Sequence, residues 1–294
     1  MTAEETMASR WDGIELMVRD YLDGKIQEAE PRLAATVALV DDSGDGLQVF
    51  LMSRRSSMPF APSQTVFPGG GVDPDDFDLG DFFDGRELDD WSRVLGCDVR
   101  TATAVVGAAI RETFEETGVL FARVDGAPSE LSLDQDRLNT LRNRLNAKEV
   151  RFADVLAELS LTFDTAPLTA WSRWVTPVWS KRRYDTFIFV AGILDGQTAL
   201  DDSDEADAAA WYPVREATRK YDRGELAMMT PTLETLRELG TYSLATIGTD
   251  ARDLRPAGFS LDVDAEMVRV IATTPEKTTQ VHQFLLETRV TPSP

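Results

Sequence analysis

Residues 108–120, AAIRETFEETGVL, constrain the fold of this chain more than any other segment. In a helix, Glu112, Glu115 and Glu116 stand at positions i, i+3 and i+4 and share one face. Like charges at this spacing repel, and negative charge near a helix C-terminus opposes the macrodipole. No lysine lies nearby in the sequence, and Arg111 is expected to face partly elsewhere. A bound divalent cation would offset both costs, because hard cations prefer carboxylate oxygens; a solvated acidic helix face is the alternative.

The same segment predicts a helix over residues 102–117 that stops at Gly118, a common residue just after a helix. Val106, Ile110 and Phe114 recur at helical spacing opposite the glutamates and should face the core. Small apolar residues occupy the first turns on the glutamates' own side. The sequence therefore places the acidic cluster at the end of an otherwise buried helix, at the rim of the core.

Upstream of this helix, the stretch VFPGGG at residues 66–71 predicts a strand that runs into a glycine turn. Glycines let the backbone turn sharply or approach a phosphate closely. Together the two segments resemble the Nudix hydrolase signature, in which a Gly, a Glu, an Arg-Glu pair, a Glu-Glu pair and a final Gly recur at fixed spacing. Gly70 corresponds to the opening glycine, and Asp76 stands where the family has its first glutamate. Arg111 to Gly118 match the second half, although Thr113 replaces an aliphatic residue.

The chain departs from the signature in the middle. The family has seven residues between its first glutamate and its arginine, whereas 34 residues separate Asp76 from Arg111 here. This insertion leaves the role of Asp76 open and leaves the helical carboxylates intact. The resemblance implies an α/β fold, the family's α/β/α sandwich with a mixed sheet. We expect one domain over residues 1–294, with a core at about 33–217. Its expected additions are two insertions and a C-terminal extension, at about 77–102, 124–165 and 240–294.

The resemblance also implies metal-dependent hydrolysis of a diphosphate bond in a nucleotide-linked substrate. The residues implied as ligands of Mg²⁺, which Mn²⁺ may replace, are Glu112, Glu115 and Glu116. Arg111 would orient Glu112 by a charge-assisted hydrogen bond. A carboxylate would take a proton from the attacking water. The candidates for this base are a glutamate of the signature or an acid on a later loop, Asp204 or Glu205, and the alternative for that loop is a solvated acidic surface.

Composition restricts the partners of the chain. Lys and Arg total 30 against 51 Asp and Glu, which gives a net charge of −21. Such a chain should repel nucleic acids and anionic membranes and act on a small molecule. Against this background two basic clusters stand out, at residues 54–55 and 181–183. We expect substrate phosphates to contact these clusters and the glycine turn, at Arg54, Gly69, Gly70, Arg182 and Arg183. Charged edge strands that discourage aggregation are the alternative.

A weaker resemblance concerns the substrate. The stretch 50–70, FLMSRRSSMPFAPSQTVFPGG, is similar to a second signature found in Nudix enzymes that cut coenzyme A, with Arg54 and residues 67–70 on matching positions. Pro59 and Ser63 depart from it. The insertion is similar to that of the peroxisomal-type coenzyme A and acyl-coenzyme A diphosphatases. These features favour coenzyme A or acyl-coenzyme A as the substrate. ADP-ribose or dinucleotide hydrolysis and a non-catalytic nucleotide sensor are the alternatives.

The remaining sequence signals concern location and assembly. The one cysteine, Cys97, allows no internal disulfide and indicates a reducing compartment. The acidic N-terminus lacks an apolar signal core, and the longest apolar run, residues 187–194, is too short to span a bilayer. The C-terminal TPSP carries no peroxisomal address. We therefore expect a cytoplasmic protein, which could form a homodimer.

Hydrophobic periodicity predicts the other elements. Helices are expected at 1–30, 133–160, 213–222, 231–239 and 276–287. Strands are expected at 33–40, 47–53, 173–179, 186–194 and from Met267, the first two joined as a hairpin. The acidic stretch 75–100 gives no clear pattern.

Overall fold

The computed structural model describes residues 3–44, 46–55, 63–83, 87–124, 135–194, 196–201, 206–250, 252–264, 267–275 and 277–285. The helices in these ranges are α1 (Ala3–Leu22), α2 (Glu87–Leu95), α3 (Val99–Thr117), α4 (Gln135–Asn146), α5 (Phe152–Glu158), α6 (Val214–Asp222) and α7 (Thr230–Leu239). The strands are β1 (Arg32–Asp41), β2 (Gln48–Arg54), β3 (Thr65–Val66), β4 (Gly69–Gly71), β5 (Ala122–Val124), β6 (Leu161–Phe163), β7 (Leu168–Val175), β8 (Tyr184–Gly192), β9 (Ala206–Pro213), β10 (Ala257–Val263), β11 (Met267–Thr273) and β12 (Thr278–Leu285). Across the described ranges, no helix is long and apolar enough to cross a lipid bilayer.

The chain divides into two compact units. The larger comprises residues 33–172 and 186–254, and the smaller comprises residues 1–32, 173–185 and 255–294. Both α-helices and β-strands are present, and the strands pair in both senses: β1 pairs antiparallel with β2 and β4, and β10 pairs parallel with β7. The α/β class predicted from the sequence is therefore confirmed.

The larger unit is built around a sheet in the order β7-β8-β1-β2-β3. The predicted hairpin is confirmed, since β1 and β2 pair antiparallel with Val40 opposite Val49. Strand β4 also pairs with β1, which places Gly70 opposite Ala35, and β9 pairs with β2. The inner residues of β1 and β2 are fully buried. Their alternation of small and branched apolar side chains gives helix α3 a flat apolar surface in the same core.

Helix α3 is the predicted central helix, three residues longer at its N-terminus. Asp98 caps it by accepting a hydrogen bond from the Thr101 amide at 3.0 Å. Gly118 ends it in the left-handed region with φ 76°, where a residue with a side chain would be strained. Ile110 and Phe114 are buried as expected, and so are the alanines of the first turns. The middle of the helix is therefore buried, and Glu112 and Glu115 in its last turns lie partly exposed at the rim of the core.

The acidic insertion folds back onto α3. Short 3-10 turns at Pro74–Asp78 and Gly80–Phe82 precede helix α2, which packs against α3. After α3, the predicted helix over 133–160 is instead two helices, α4 and α5, with Lys148 between them in the left-handed region at φ 57°. The single-helix prediction was wrong there because this turn reverses the chain. Both insertions thus return to the helix that carries the acidic cluster.

The smaller unit corrects the prediction for the C-terminus. Residues 276–287 were expected to form a helix, but β12 pairs antiparallel with β11 in a three-stranded meander with β10. The β-branched residues of TTQVHQFL favour the strand, and pairing buries Phe284 against Val268. His282 on β12 stacks on Trp11 with ring centroids 4.3 Å apart.

Two further element boundaries differ from expectation. Strand β7 occupies residues 168–175, not 173–179, and Pro177, which has no amide proton to donate, lies just beyond its end. Helix α1 ends at Leu22 rather than near residue 30, because Gly24 closes it at φ 74°. Neither difference affects the predicted position of the acidic cluster on α3.

Candidate active site

Arg111 is the centre of the site. Its Nε and Nη2 donate to the two carboxylate oxygens of Asp76, at 2.9 and 2.8 Å. Its Nη1 donates to Glu112 Oε1 at 2.9 Å and to Glu115 Oε1 at 3.3 Å, and Nη2 also reaches the Gly71 carbonyl at 3.0 Å. Burial lowers the pKa of the guanidinium, but its hydrogen bonds to Asp76 and the charges of Glu112, Asp76 and Glu115 raise the pKa by more, so the net shift is upward. Arg111 therefore stays charged and fixes three carboxylates at once.

Asp76 is only 1% exposed and forms a bidentate pair with Arg111. The 34 intervening residues thus loop out through the 3-10 turns and α2 without separating the two side chains. The sequence left the role of Asp76 open because a spacing argument cannot follow a chain through an insertion. In the structure, Asp76 accepts two hydrogen bonds from Arg111 and so orients the guanidinium that donates to Glu112 and Glu115.

The expectation that the glutamates lack a compensating cation was wrong. Arg111 faces both Glu112 and Glu115, and Lys148 Nζ lies 3.9 Å from Glu115 Oε2. Lys148 is 33 positions away in the sequence, beyond α4, so no local pattern could have revealed it. Sequence reasoning therefore missed this residue of the site.

The glycine turn lies against the glutamates of α3. The Gly69 amide donates to Glu116 Oε2 at 2.7 Å. At Gly69, φ is +149°, and a Cβ would overlap the Ala35 carbonyl oxygen. At Gly70, a Cβ would lie 2.5 to 2.8 Å from the carboxylate atoms of Glu112. Gly69 is therefore required by its close approach to the backbone of β1, and the absence of a side chain at Gly70 lets the Glu112 carboxylate lie against the turn.

The carboxyl of Glu115 has a raised pKa. Burial raises its pKa, the charges of Arg111 and Lys148 oppose the shift, and Asp73 adds to it, with a net rise above the usual 4.5. Its side chain is 11% exposed. A carboxylate held ionised against this desolvation is one that an additional cation would stabilise.

The C-terminus of α3 is capped by α4. Arg142, which is 3% exposed, donates from Nε to the Glu115 carbonyl at 2.9 Å and from Nη2 to the Glu116 carbonyl at 3.2 Å. Asn146 Nδ2 donates to the same Glu115 carbonyl at 3.2 Å. These donors satisfy carbonyls that a helix end leaves without intrahelical partners, and the guanidinium opposes the negative end of the macrodipole. The second insertion therefore fixes the backbone of the acidic cluster.

A cavity of about 210 Å³ lies between the first 3-10 turn, α3 and the α4–α5 connection. Charged residues of both signs line it, among them Asp73, Arg111, Glu115, Lys148 and Arg151. Apolar residues of α4 and α5 form its remaining wall. The carboxylate cluster is therefore open to small polar species from this side.

The donor set can be tested against a divalent cation. The carboxylates of Asp76, Glu112 and Glu115 stand beside Arg111, and Lys148 lies beside Glu115. The fourth carboxylate, that of Glu116, accepts from the Gly69 amide. Within the part of the chain that the structure describes, no three acidic, histidine or cysteine side chains already surround a metal position, since the glutamates are turned to Arg111 and to the Gly69 amide. The chemistry of the set fits a hard cation, because its four carboxylates outnumber the two cationic side chains beside them.

The predicted phosphate contacts lie in different parts of the chain. Arg54 ends β2 in the larger unit, where its backbone bonds to Gln64 and Ser63. Arg183 belongs to the smaller unit and is 8% exposed; its guanidinium donates to Glu28 and to the Ala29 and Thr176 carbonyls. That guanidinium is used within its own unit, which favours the structural alternative for Arg183.

Arg182 is exposed in the same connection as Arg183. The candidate bases Asp204 and Glu205 lie outside the described residues. Their assignment stays a prediction, as does that of Arg54.

Comparison with known proteins connects this geometry to a family. Residues 89–239 match the profile described as the NUDT19 Nudix domain, which is slightly more than half of the chain. The chain is 26% identical over 225 residues to the acyl-coenzyme A diphosphatase NUDT19 of Xenopus laevis, covering 65% of this chain and 59% of that protein. It is also 26% identical over 232 residues to the human protein of the same name, covering 68% and 62%. The chain thus spans about three-fifths of the length of these relatives.

A solved structure shows the same fold. The crystal structure of a Nudix hydrolase from Alicyclobacillus acidocaldarius superposes with a TM-score of 0.59 at 29% identity, covering 73% of this chain and 93% of that one. The segment that matches the family profile contains α3 with Arg111 and its three glutamates. The chain therefore belongs to the family of the NUDT19 Nudix domain.

Proposed function

We propose that this protein is a diphosphatase that hydrolyses a nucleotide-linked diphosphate with the help of a divalent cation, Mg²⁺ or, in its place, Mn²⁺. The observation that carries the proposal is the Arg111 network, which holds Glu112 and Glu115 while the Gly69 amide holds Glu116. A helix that served only the fold would gain nothing from collecting these carboxylates at a partly desolvated rim. Family membership supports the same chemistry.

The residues that would hold the cation are Glu112, Glu115 and Glu116. When bound, the cation would neutralise charge on the diphosphate and lower the pKa of a water molecule. Arg111 fixes the carboxylate rotamers in advance, so that little ordering is left for the reaction. Asp76 keeps Arg111 in place, and the Arg142 cap keeps the last turn of α3 in place. A glutamate of the signature, or Asp204 or Glu205 on the later loop, would accept the proton of the attacking water.

We infer that coenzyme A or an acyl-coenzyme A is the substrate. Two relatives that align with this chain bear the name acyl-coenzyme A diphosphatase. The arginine that resembles part of the coenzyme A signature, Arg54, ends β2, and β2 pairs with β3 just before the glycine turn. Cleavage within the diphosphate of coenzyme A would give 3′,5′-ADP and 4′-phosphopantetheine, or its acyl form.

The test is a substrate panel with products identified by mass. Coenzyme A, acetyl-coenzyme A, ADP-ribose and a diadenosine polyphosphate are assayed with and without Mg²⁺, for the wild type, Glu116→Gln and Glu234→Gln. Glu116→Gln should lower turnover at least about a hundredfold, since a misplaced cation loses most of its effect. Glu234 on α7 is exposed and pairs with Arg237, so Glu234→Gln controls for loss of one negative charge.

The outcomes separate the alternatives. Formation of 3′,5′-ADP from the coenzyme A compounds supports the full proposal. Faster hydrolysis of ADP-ribose or the dinucleotide than of every coenzyme A compound would contradict the coenzyme A substrate and leave the diphosphatase activity in place. Binding of nucleotides without hydrolysis, at any Mg²⁺ or Mn²⁺ concentration in the millimolar range, would indicate a sensor and contradict the diphosphatase.

A further inference from the structure

Lys148 lies at the carboxylate cluster although nothing in the family signature calls for it. Its Nζ is 3.9 Å from Glu115 Oε2 and 3.7 Å from Asp73 Oδ2. The side chain is 65% exposed, so it is long, solvated and able to move. The residue reaches the site only because the α4–α5 connection returns to the end of α3.

The backbone of Lys148 occupies a position that favours glycine. Helix α4 ends in a Schellman motif, in which the Lys148 amide donates to Leu145 O and the Glu149 amide donates to Arg144 O. Lys148 is the left-handed residue of this motif, with φ 57°. The equivalent residues after α1, α2, α3 and α6 all have positive φ and are glycines: Gly24, Gly96, Gly118 and Gly224. A lysine there strains the backbone, which points to a use for its side chain.

The charges around Glu115 indicate what that use is. Arg111 pairs with Asp76 as well as with Glu112 and Glu115, and the Lys148 ammonium lies beside Glu115 as a second, solvated cation. An ammonium beside a carboxylate lowers the local negative potential, and a cation of charge two entering the same cluster is repelled by it. Lys148 and a divalent cation therefore compete for the negative charge of Glu115.

We infer that Lys148 is a tethered counter-ion, a positioning residue that neutralises Glu115 while the cluster holds no metal and so weakens cation binding by the free protein. This inference rests on the proposed function, because it requires that the cluster binds a divalent cation. It assigns to the second insertion a role in setting the cation affinity of the site, in addition to capping α3.

The experiment measures Mg²⁺ affinity of metal-free protein at low ionic strength, by isothermal titration calorimetry and by the Mg²⁺-dependent shift in melting temperature. Lys148→Met removes the charge and keeps a long side chain at the same backbone position. We expect it to bind Mg²⁺ about five- to tenfold more tightly than the wild type, from the repulsion it removes. Lys148→Arg keeps the charge and should stay within about twofold of the wild type.

Arg144→Met is the matched control. It changes the net charge by the same amount, but Arg144 pairs with Glu149 and Glu158 rather than Glu115. Its Mg²⁺ affinity should equal that of the wild type. If circular dichroism shows that Lys148→Met is poorly folded, Lys148→Gln provides a second neutral variant, for which we expect the same increase in Mg²⁺ affinity.

Two failures can be told apart. If the wild type binds Mg²⁺ and the neutral Lys148 variants bind it equally or more weakly, the counter-ion role is overturned and the proposed function stands. If neither the wild type nor any variant binds Mg²⁺ or Mn²⁺, the metal-dependent function fails, and the counter-ion role fails with it. A purely structural Lys148 would change melting temperature without tightening Mg²⁺ binding.

Discussion

At the scale of single residues, the site is organised by one guanidinium. Arg111 donates to Asp76, Glu112 and Glu115 and to the Gly71 carbonyl while only 4% of its side chain is exposed. Geometry of this kind is available to arginine and not to lysine, because the planar fork provides five donors in fixed directions. The carboxylates are therefore oriented before any ligand binds, and the free energy of folding offsets the repulsion between them.

Glu115 gives a prediction about pH. Its pKa in the folded protein is raised above 4.5, mainly by burial, so the folded state binds the proton more tightly than the unfolded state. Stability from this group is fully present below pH 4.5 and is lost as pH rises through the folded value. In metal-free protein, the melting temperature of Glu115→Gln minus that of the wild type should therefore increase as pH rises from 4 to 7. A difference that falls over this range would contradict the assignment.

Glu216 provides a control of opposite sign. Its hydrogen bond with Arg223 lowers the pKa of Glu216. Stability from that group is present above its unfolded value and is lost as pH falls through the folded value. The melting temperature of Glu216→Gln relative to the wild type should therefore not increase with rising pH. Comparing the two variants separates the effect of burial at Glu115 from any general response to pH.

At the scale of secondary-structure elements, the end of α4 gives a stability prediction. Lys148 adopts φ 57° at the position where four other helices have glycine. Lys148→Gly should raise the free energy of unfolding by about 0.5 to 1 kcal/mol, because it relieves left-handed backbone strain and loses only the long ion pairs of a solvated ammonium with Asp73 and Glu115. The measurement is urea denaturation of metal-free protein.

Ser160, which follows α5 with φ 53°, is the comparison for that measurement. Ser160→Gly relieves the same kind of strain at an exposed position. If Lys148→Gly is destabilised while Ser160→Gly is stabilised, the Lys148 side chain contributes more to the fold than its contacts with Asp73 and Glu115 indicate. Stabilisation of both variants would show that the lysine is kept at a cost to stability, as the counter-ion role requires.

The elements also show how much of the structure could be predicted from sequence. Helix α3 was predicted closely because its apolar period, its acidic face and Gly118 are local signals. The β1–β2 hairpin was predicted for the same reason. Strand β12 was missed because its polar, weakly alternating sequence gains its structure from pairing with β11.

The residues of the site can likewise be divided into those predicted from local sequence signals and those placed by tertiary contacts. The three glutamates follow from one continuous helical segment, and Arg111 donates to Glu112 as the family resemblance implied. Asp76 could be aligned but not placed, since an insertion of unknown path separates it from Arg111. Lys148 and Arg142 act through tertiary contacts made by a second insertion, and no spacing rule relates them to α3. What the sequence could not supply was the path of the insertions.

At the scale of the whole molecule, the charge of −21 sets the approach of an anionic substrate. A coenzyme A compound carries several negative charges, so the long-range field of this protein repels it, and only short-range contacts at the site attract it. Salt screens the long-range repulsion first, because the Debye length falls from about 30 Å at 0.01 M to about 8 Å at 0.15 M ionic strength. The kcat/KM for coenzyme A should therefore rise with added salt over this range, at saturating Mg²⁺, and kcat should change little.

A comparison substrate tests whether charge causes that rise. Dephospho-coenzyme A lacks the 3′-phosphate and is repelled less, so its kcat/KM should increase less steeply with salt. Stopped assays with product identification by mass give both slopes under the same conditions. A fall in kcat/KM with salt for both substrates would mean that a basic surface, such as one containing Arg54 or Arg182, dominates the approach despite the net charge. In that case the acidic surface would be irrelevant to substrate capture, and the basic clusters at 54–55 and 181–183 would become the first targets for charge-removing substitutions.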